Sequence, residues 1–390
     1  MVKPFQINRL PVLHFGPGQI SRLPPILSRY GSRILNITGK SSFIDSPFAT
    51  DILGHLKKEG FTLFTEKIPG EPTPEMVDTI CSIYRDEGID VVVGIGGGSA
   101  LDAGKAVSAM LRQDQSVMNF LEGVGAQTHN GDKIPYIAIP TTAGTGSEAT
   151  KNAVLSRPGI QGFKKSLRHE NFVPDHAIVD PQLSLSCPPE ITAATGMDAF
   201  TQLLESYTST QANSFTDALA FQGLRGIKLS LKQAFHHGND LKARTNMAFS
   251  AYASGISLAY AGLGVIHGFA SSVGALYDIP HGVICGTLMA PVNQFIVENL
   301  LTSSQENPAY QKYLNTARLF IEDKTLNESD ILKAFVAYLH ELSHELGLTG
   351  LCGYGFGETR IEDILNNTSL KNNPVKLSHK DLKQILYKVI

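Results

Sequence analysis

Four side chains in this sequence have the types that hold a metal ion. Asp198 and Gln202 stand four apart in GMDAFTQ, residues 196–202, which puts them on one face of a helix. His267 lies in GVIHGFA and His281 in DIPHGV, each among small or apolar neighbours. One carboxylate and two imidazoles suit a divalent ion and leave positions open for a substrate oxygen. Gln202 would add a neutral carbonyl oxygen, a weaker donor than imidazole, so looser or less selective binding is expected. The plain alternative is that both histidines are buried and hydrogen-bonded, with no ion.

A second chemistry-bearing stretch is VVVGIGGGSALDAGKA, residues 91–106. An apolar strand runs into Gly96, Gly97, Gly98 and Ser99, then into a helix starting near Ala100. Glycines let the backbone approach a phosphate, and a helix N-terminus offers free N–H groups and a positive dipole end. A pyrophosphate fits that arrangement. Two standard patterns fail here: GxGxxG needs glycine at Ser99, and a P-loop needs glycine there and Ser or Thr at Ala106. A tight strand–helix turn with no ligand is the bland reading. PTTAGTGSEAT, residues 140–150, follows the next strand and sets Thr141, Thr142, Thr145 and Ser147 among glycines. Two such loops at the carboxyl ends of neighbouring strands suit a dinucleotide across the sheet edge.

The elements that must position these residues divide the chain in two. Short apolar segments at 33–39, 61–68, 91–97, 136–142 and 177–181 read as strands, with helical patterns such as 47–59 and 74–88 between them. That alternation predicts a mostly parallel sheet covered by helices. After Pro181 only helical patterns follow. The boundary is placed near 183–188, giving an α/β nucleotide-binding domain over 1–184 and an all-helical domain over 185–390. A cleft between two domains is a common ligand site.

Composition sets outer limits. With 390 residues, 42% hydrophobic and 18% charged, the chain reads as globular. A net charge of −3 gives no basic footprint for nucleic acid. No long apolar run predicts a membrane span, and the first residues lack a signal-peptide core. Cys81, Cys187, Cys285 and Cys352 are scattered and form no CxxC, so a reduced cytoplasmic setting is expected.

Together GGGSALDAGKA, PTTAGTGSEAT, GMDAF…E and the pair GxxHGFA…DIPHG resemble the iron-containing (group III) alcohol dehydrogenases, from FGPGQI at 15–20 to NNPVKLSHKDL at 372–382. The resemblance implies a Rossmann-like N-terminal domain and a helical C-terminal metal domain, dehydroquinate synthase-like. It implies reversible oxidation of an alcohol to an aldehyde or ketone with NAD or NADP, and one divalent ion, Fe2+ or Zn2+, per chain. GGGS and Asp102 would hold the pyrophosphate. Thr141, Thr142, Thr145 and Ser147 would line the nucleotide, and Lys164 would reach its ribose. The family metal is held by one Asp and three His. Asp198, His267 and His281 match, and Gln202 stands where the family has its first histidine. A second departure is Ser271, where the family often has a substrate-side or proton-relay histidine. His267, His281 and Ser271 are the catalytic candidates, and a homodimer joined through the N-terminal strand region is expected.

At the end of the strand at 33–39, taken as the second of the nucleotide-binding sheet after an N-terminal strand, the chain reads NITGKSS, with Gly39, Lys40 and Ser41 and no carboxylate. That leaves room and positive charge for a 2′-phosphate, which favours NADP over NAD. Three other readings remain. The site could belong to a metal-independent reductase of the same superfamily, using its histidines directly as acid or electrophile. The chain could be an inactive homologue that binds only nucleotide. HELSH at 340–344 matches HExxH, with Glu358 or Glu362 as a conceivable third ligand of a metallopeptidase. Against that last reading, Leu332, Phe335, Val336, Leu339, Leu342 and Leu346 form an apolar helical stripe that leaves His340, Glu341 and His344 largely on the solvent side.

Overall fold

The computed structural model describes residues 2, 4–40, 43–303 and 306–390. Its first half is a six-stranded parallel sheet in the order β1-β8-β5-β4-β2-β3. The strands are β1 Val12–Phe15, β2 Arg33–Gly39, β3 Thr62–Ile68, β4 Val91–Gly96, β5 Tyr136–Pro140 and β8 His176–Val179. An antiparallel hairpin, β6 Asn152–Arg157 and β7 Phe163–Arg168, stands apart from the sheet. Helices α1 Leu23–Leu27, α2 Pro47–Lys58, α3 Pro74–Tyr84 and α4 Gly98–Met110 fill the connections.

The central strand β4 is buried on both faces because helices cover both. Side chains alternate along a strand, so Val91, Val93 and Ile95 pack with Leu23, Ile26 and Leu56 on one side. Val92 packs with Val77, Ile80 and Val107 on the other.

Among the described residues no strand follows β8. The second half is α5 Pro189–Thr208, α6 Ser214–His236, α7 Leu241–Ala261, α8 Val265–Leu276, α9 His281–Ser303, α10 Pro308–Phe320, α11 Glu328–Glu345, α12 Ile361–Asn367 and α13 His379–Tyr387. Their shared core runs from Met197 and Phe200 on α5 to Leu288 and Val292 on α9 and Leu339 on α11. A smaller apolar cluster joins the halves: Ala149, Ala177 and Val179 pack on Ala248, Tyr252 and Ile256 of α7.

Five expected strands form, with ends shifted by three residues or fewer. The hairpin was not anticipated, and β1 only as an N-terminal strand region without bounds. β1 has four residues and no burial alternation, with Val12 55% and Leu13 38% accessible on opposite sides, so it lacks a buried-strand pattern. β7 reads FKKSLR and buries only Leu167 fully, because the hairpin covers the sheet domain with one face alone. α4 begins at Gly98 rather than Ala100, which makes Gly98 and Ser99 its first residues. On α11 the predicted stripe is buried, and His340, Glu341 and His344 are exposed. No single helix among the described residues is long and apolar enough to cross a membrane.

Candidate active site

Three helices of the second half converge on one buried cluster. α5 supplies Asp198, α8 supplies His267, and α9 supplies His281 at its first residue and Cys285 one turn later. One ligand atom from each lies within 4.8 Å of all the others. Asp198 Oδ1 is 3.3 Å from His267 Nε2 and 3.7 Å from His281 Nε2. Cys285 Sγ is 3.8 Å from each of those nitrogens. Among the described residues this is the one group of three or more such donors, and neither His340 nor His344 belongs to one.

Behind His267 stands Glu205, seven residues after Asp198 and so on the same face of α5. His267 Nδ1 pairs with Glu205 Oε2 at 2.7 Å, and the Ile266 N–H donates to Glu205 Oε1 at 2.7 Å. A carboxylate on Nδ1 fixes one proton there, so that Nε2 is the atom free to give its lone pair to an ion. His281 has no such support, since its Nδ1 is buried without a partner.

Electrostatics show what the cluster requires. Burial works against charge on Asp198, but His281 and His267 hold its carboxyl below the ordinary value. Burial also opposes charge on His267, yet Cys285, Glu205 and Asp198 carry its imidazole well above the ordinary value. Burial takes His281 down to about 4 and pushes the Cys285 thiol up to about 11. Two buried carboxylates thus draw positive charge into the cluster, and a proton on His267 supplies it when no ion is bound. Carboxylate oxygen, two imidazole nitrogens and sulfur also match the donor types of a divalent transition ion. The residues therefore fit a metal.

Gln202 stands beside Asp198, as the four-residue spacing implies, with its amide N–H rather than its oxygen toward the cluster. It is buried on α5, with its Nε2 donating to Asp198 Oδ1 at 3.3 Å. Its carbonyl oxygen points away, accepting from Ser254 Oγ at 2.7 Å. Ser271 is also committed, because its hydroxyl donates to the His267 carbonyl at 2.8 Å. It faces its own helix backbone rather than holding a proton for substrate.

The nucleotide loops separate into an open set and a buried set. Gly97, Gly98, Ser99, Thr142 and Thr145 are partly exposed where β4 and β5 end. No side chain caps the start of α4, so its first N–H groups are free to meet an anion. A Cβ on Gly98 would stand 2.6 Å from the Thr145 methyl, so glycine is needed for the two loops to close on each other. Gly96 and Thr141 lie beneath, joined by the Thr141 N–H to the Gly96 carbonyl at 2.9 Å. Gly39 is beside Gly96, with exposed Lys40 next to it. Ser41 lies outside the described residues.

Asp102 and Ser147 face inward. Asp102 accepts from Ser147 Oγ at 2.5 Å and from the Val154 N–H at 3.1 Å, so it holds the loop that would hold the cofactor. Lys105, fully buried, donates to the Ser147 carbonyl at 2.8 Å, Thr150 Oγ1 at 3.0 Å and the Asn152 carbonyl at 2.8 Å. Burial lowers its amine to about 8. Lys164 on β7 pairs with Glu71 at 2.5 Å and lies close enough to His281 to oppose its protonation.

Sequence reasoning passed over Cys285, Glu205 and Lys105. The signals for the first two were present: His281 and Cys285 form an H-x3-C pair one helical turn apart, and Glu205 is two turns from Asp198. Lys105 had no local signal, because its partners lie on residues 147–152.

Comparison with known proteins agrees with this geometry. The profile of the family described as iron-containing alcohol dehydrogenase matches residues 11–181, and that of the Fe-containing alcohol dehydrogenase family, C-terminal, matches 192–390. Long-chain-alcohol dehydrogenase 1 of Geobacillus thermodenitrificans is 30% identical over 390 aligned positions, covering 96% of this chain and 94% of its own. An archaeal halo-thermophilic Red Sea brine pool alcohol dehydrogenase has a similar structure, with TM-score 0.89, 27% identity and full coverage of both chains. Sulfoacetaldehyde reductase from Bifidobacterium kashiwanohense, solved in complex with NAD+, matches with TM-score 0.84, 27% identity and 99% of each chain.

Proposed function

This chain belongs to the iron-containing alcohol dehydrogenase family, and from that footing we propose that it interconverts an alcohol and its aldehyde or ketone with NAD(P). One observation carries the reading. Ser254 on α7 donates to Gln202 beside the donor cluster at 2.7 Å and lies 3.4 Å from the Gly144 carbonyl in the nucleotide loop. The hydroxyl's one hydrogen goes to Gln202, and the Gly144 carbonyl packs against the same oxygen, so α5, α7 and the loop after β5 meet at Ser254.

Asp198, His267 and His281 hold a divalent ion, Fe2+ or Zn2+, one per chain. When bound, the ion would supply Lewis acidity toward the alcohol oxygen and the nicotinamide would supply hydride chemistry. The chain's own groups prepare for this. Glu205 keeps the His267 proton on Nδ1, and Gln202 steadies Asp198. The open N–H groups of Gly98 and Ser99 receive the pyrophosphate, with Thr142 and Thr145 beside it. Lys105 and Asp102 act through the 147–154 segment, which they hold in place. Lys164 and Glu71 form an ion pair next to His281.

Finer assignments belong to the same proposal. NADP is preferred, because the residues directly after β2, Lys40, Ser41 and Ser42, include a positive charge and no carboxylate; the ratio of kcat/KM for NADPH and NADH checks this. The division into domains falls at 184/185, between the last strand and the start of α5. The chain forms a homodimer through β1, an edge strand with exposed Val12 and Leu13, and sedimentation should give twice the chain mass. The setting is cytoplasmic, in keeping with four free cysteines; cell fractionation would test it.

The direct experiment uses NAD(P)H deuterated at C4 with a panel of aldehydes and ketones. The expected product is an alcohol with deuterium on the former carbonyl carbon, lost on metal removal and restored on reloading. Bound cofactor and metal without label transfer would leave a nucleotide-binding homologue. Undiminished transfer by stripped protein would point to a metal-independent reductase.

A further inference from the structure

The fourth corner of the donor cluster is not where the sequence placed it. Gln202 offers Asp198 an amide hydrogen and gives its oxygen to Ser254, so no lone pair of its side chain faces the other donors. The lone pairs that do come from Cys285.

Buried cysteine is an ordinary core residue, packed as a small hydrophobe. Cys285 differs in what its sulfur meets. Sγ lies 3.8 Å from His267 Nε2 and 3.8 Å from His281 Nε2, the two nitrogens that already converge on Asp198. His281 and Cys285 occupy positions i and i+4 of α9, so helical geometry brings their side chains to one face. The distances have the scale of a coordination shell. A tetrahedral zinc, with bonds of about 2.0–2.1 Å to N and O and about 2.3 Å to S, sets its N and O ligands about 3.3 Å apart and its S and N ligands about 3.6 Å apart. The matching separations here are 3.3 and 3.7 Å for the Asp198–imidazole pairs and 3.8 Å for both sulfur–imidazole pairs. These four separations match the tetrahedral ones to within a few tenths of an ångström, and all the donor atoms lie within 4.8 Å of one another.

We propose that Cys285 is the fourth ligand of the metal, giving an Asp–His–His–Cys site in which Gln202 supports Asp198 from outside. The inference rests on the proposed metal-dependent function. Binding breaks the S–H bond, forms a sulfur–metal bond and releases the proton to solvent, with no change of oxidation state. One thiolate among two imidazoles and a carboxylate moves the donor set toward borderline-soft ions, so zinc and cobalt(II) are held in preference to magnesium or manganese.

Zinc-loaded full-length protein is the probe, examined by zinc K-edge X-ray absorption, with near-ultraviolet spectra of the cobalt(II) form alongside. The expected result is one sulfur per zinc at about 2.3 Å and a sulfur-to-cobalt charge-transfer band. Both should vanish in Cys285→Ser and Cys285→Ala, with zinc affinity lower by about tenfold or more. Circular dichroism of the metal-free variants shows whether they fold. One zinc per chain held by nitrogen and oxygen alone in the parent would overturn the cysteine assignment and leave the proposed function standing. A parent chain that takes up neither ion would overturn both.

Discussion

Replacing Glu205 with glutamine tests whether this carboxylate sets the state of the metal site. Glu205 is buried and accepts two N–H donors at once, from His267 Nδ1 and from the Ile266 backbone, each at 2.7 Å. A carboxylate has an acceptor on each oxygen, whereas an amide has one acceptor and one donor. In Glu205→Gln one of the two N–H groups must therefore face an NH2. If the amide oxygen stays with His267, the Ile266 N–H is left unpaired in the interior, at about 1–3 kcal/mol. If it stays with Ile266, His267 moves its proton to Nε2 and loses the lone pair it offers the cluster. Removing such an outer carboxylate weakens metal affinity about 10- to 100-fold, or roughly 1.4–2.8 kcal/mol. Chelator competition with zinc or cobalt(II) measures the affinity, and urea unfolding of the metal-free form measures the stability. NAD(P) affinity serves as a control and should hold. A folded variant with metal affinity within twofold of the parent would show that Glu205 does not govern the His267 tautomer.

Two further outcomes follow from the contacts between and within the halves. In Gly255→Ala the new Cβ would stand 2.3 Å from the Gly146 carbonyl oxygen, so α7 and the nucleotide loop must separate. A stability loss of about 1–3 kcal/mol is expected, together with weaker NAD(P) binding; unchanged urea midpoint and cofactor affinity would refute the close contact. Burial raises the Glu148 carboxyl from 4.5 to about 7, so the folded chain keeps a proton that the unfolded chain releases near 4.5. Stability should therefore fall as pH rises across that window, by on the order of 3 kcal/mol. Urea midpoints from pH 4.5 to 7.5 should show a slope that Glu148→Gln flattens, and parallel slopes would count against the assignment.

Particular elements show why some of this was legible in the sequence. β4 and β5 were readable because a strand buried on both faces is a continuous apolar run, and no long-range information is needed to see it. The α11 stripe was readable for the same reason, since a 3.6-residue period is local. β7 was not, because its two lysines break the apolar pattern: Lys165 is exposed, and Lys164 meets Glu71 across the fold. Asp102 and Ser147 were expected to meet the cofactor itself, and the direction of their side chains, toward each other and the 147–154 segment, was hidden. Lys105 turns both inward, and a lysine two turns into a helix gives no sign that four oxygens from residues 147–152 await it. In the metal site, attention to CxxC spacing obscured Cys285, whose partner is a histidine rather than another cysteine.

The position of Gln202 then has a physical reason of its own. With Cys285 at the fourth corner, α9 presents two donors from successive turns and α5 only one, Asp198. A lone carboxylate on a long helix needs something to hold its rotamer, and Gln202, four residues on, reaches it with an N–H. The remaining amide oxygen is free to accept from Ser254, which also lies at the Gly144 carbonyl. An alanine at 202 would leave both Asp198 Oδ1 and the Ser254 hydroxyl one partner short. Glutamine can serve both neighbours because its donor and acceptor are on different atoms and can face opposite ways. Its effect on the chemistry is accordingly transmitted: it orients Asp198 on one side and bonds Ser254 of α7, beside the nucleotide loop, on the other. Substitution there should disturb cofactor and metal affinity together, whereas a change at Cys285 should act on the metal alone.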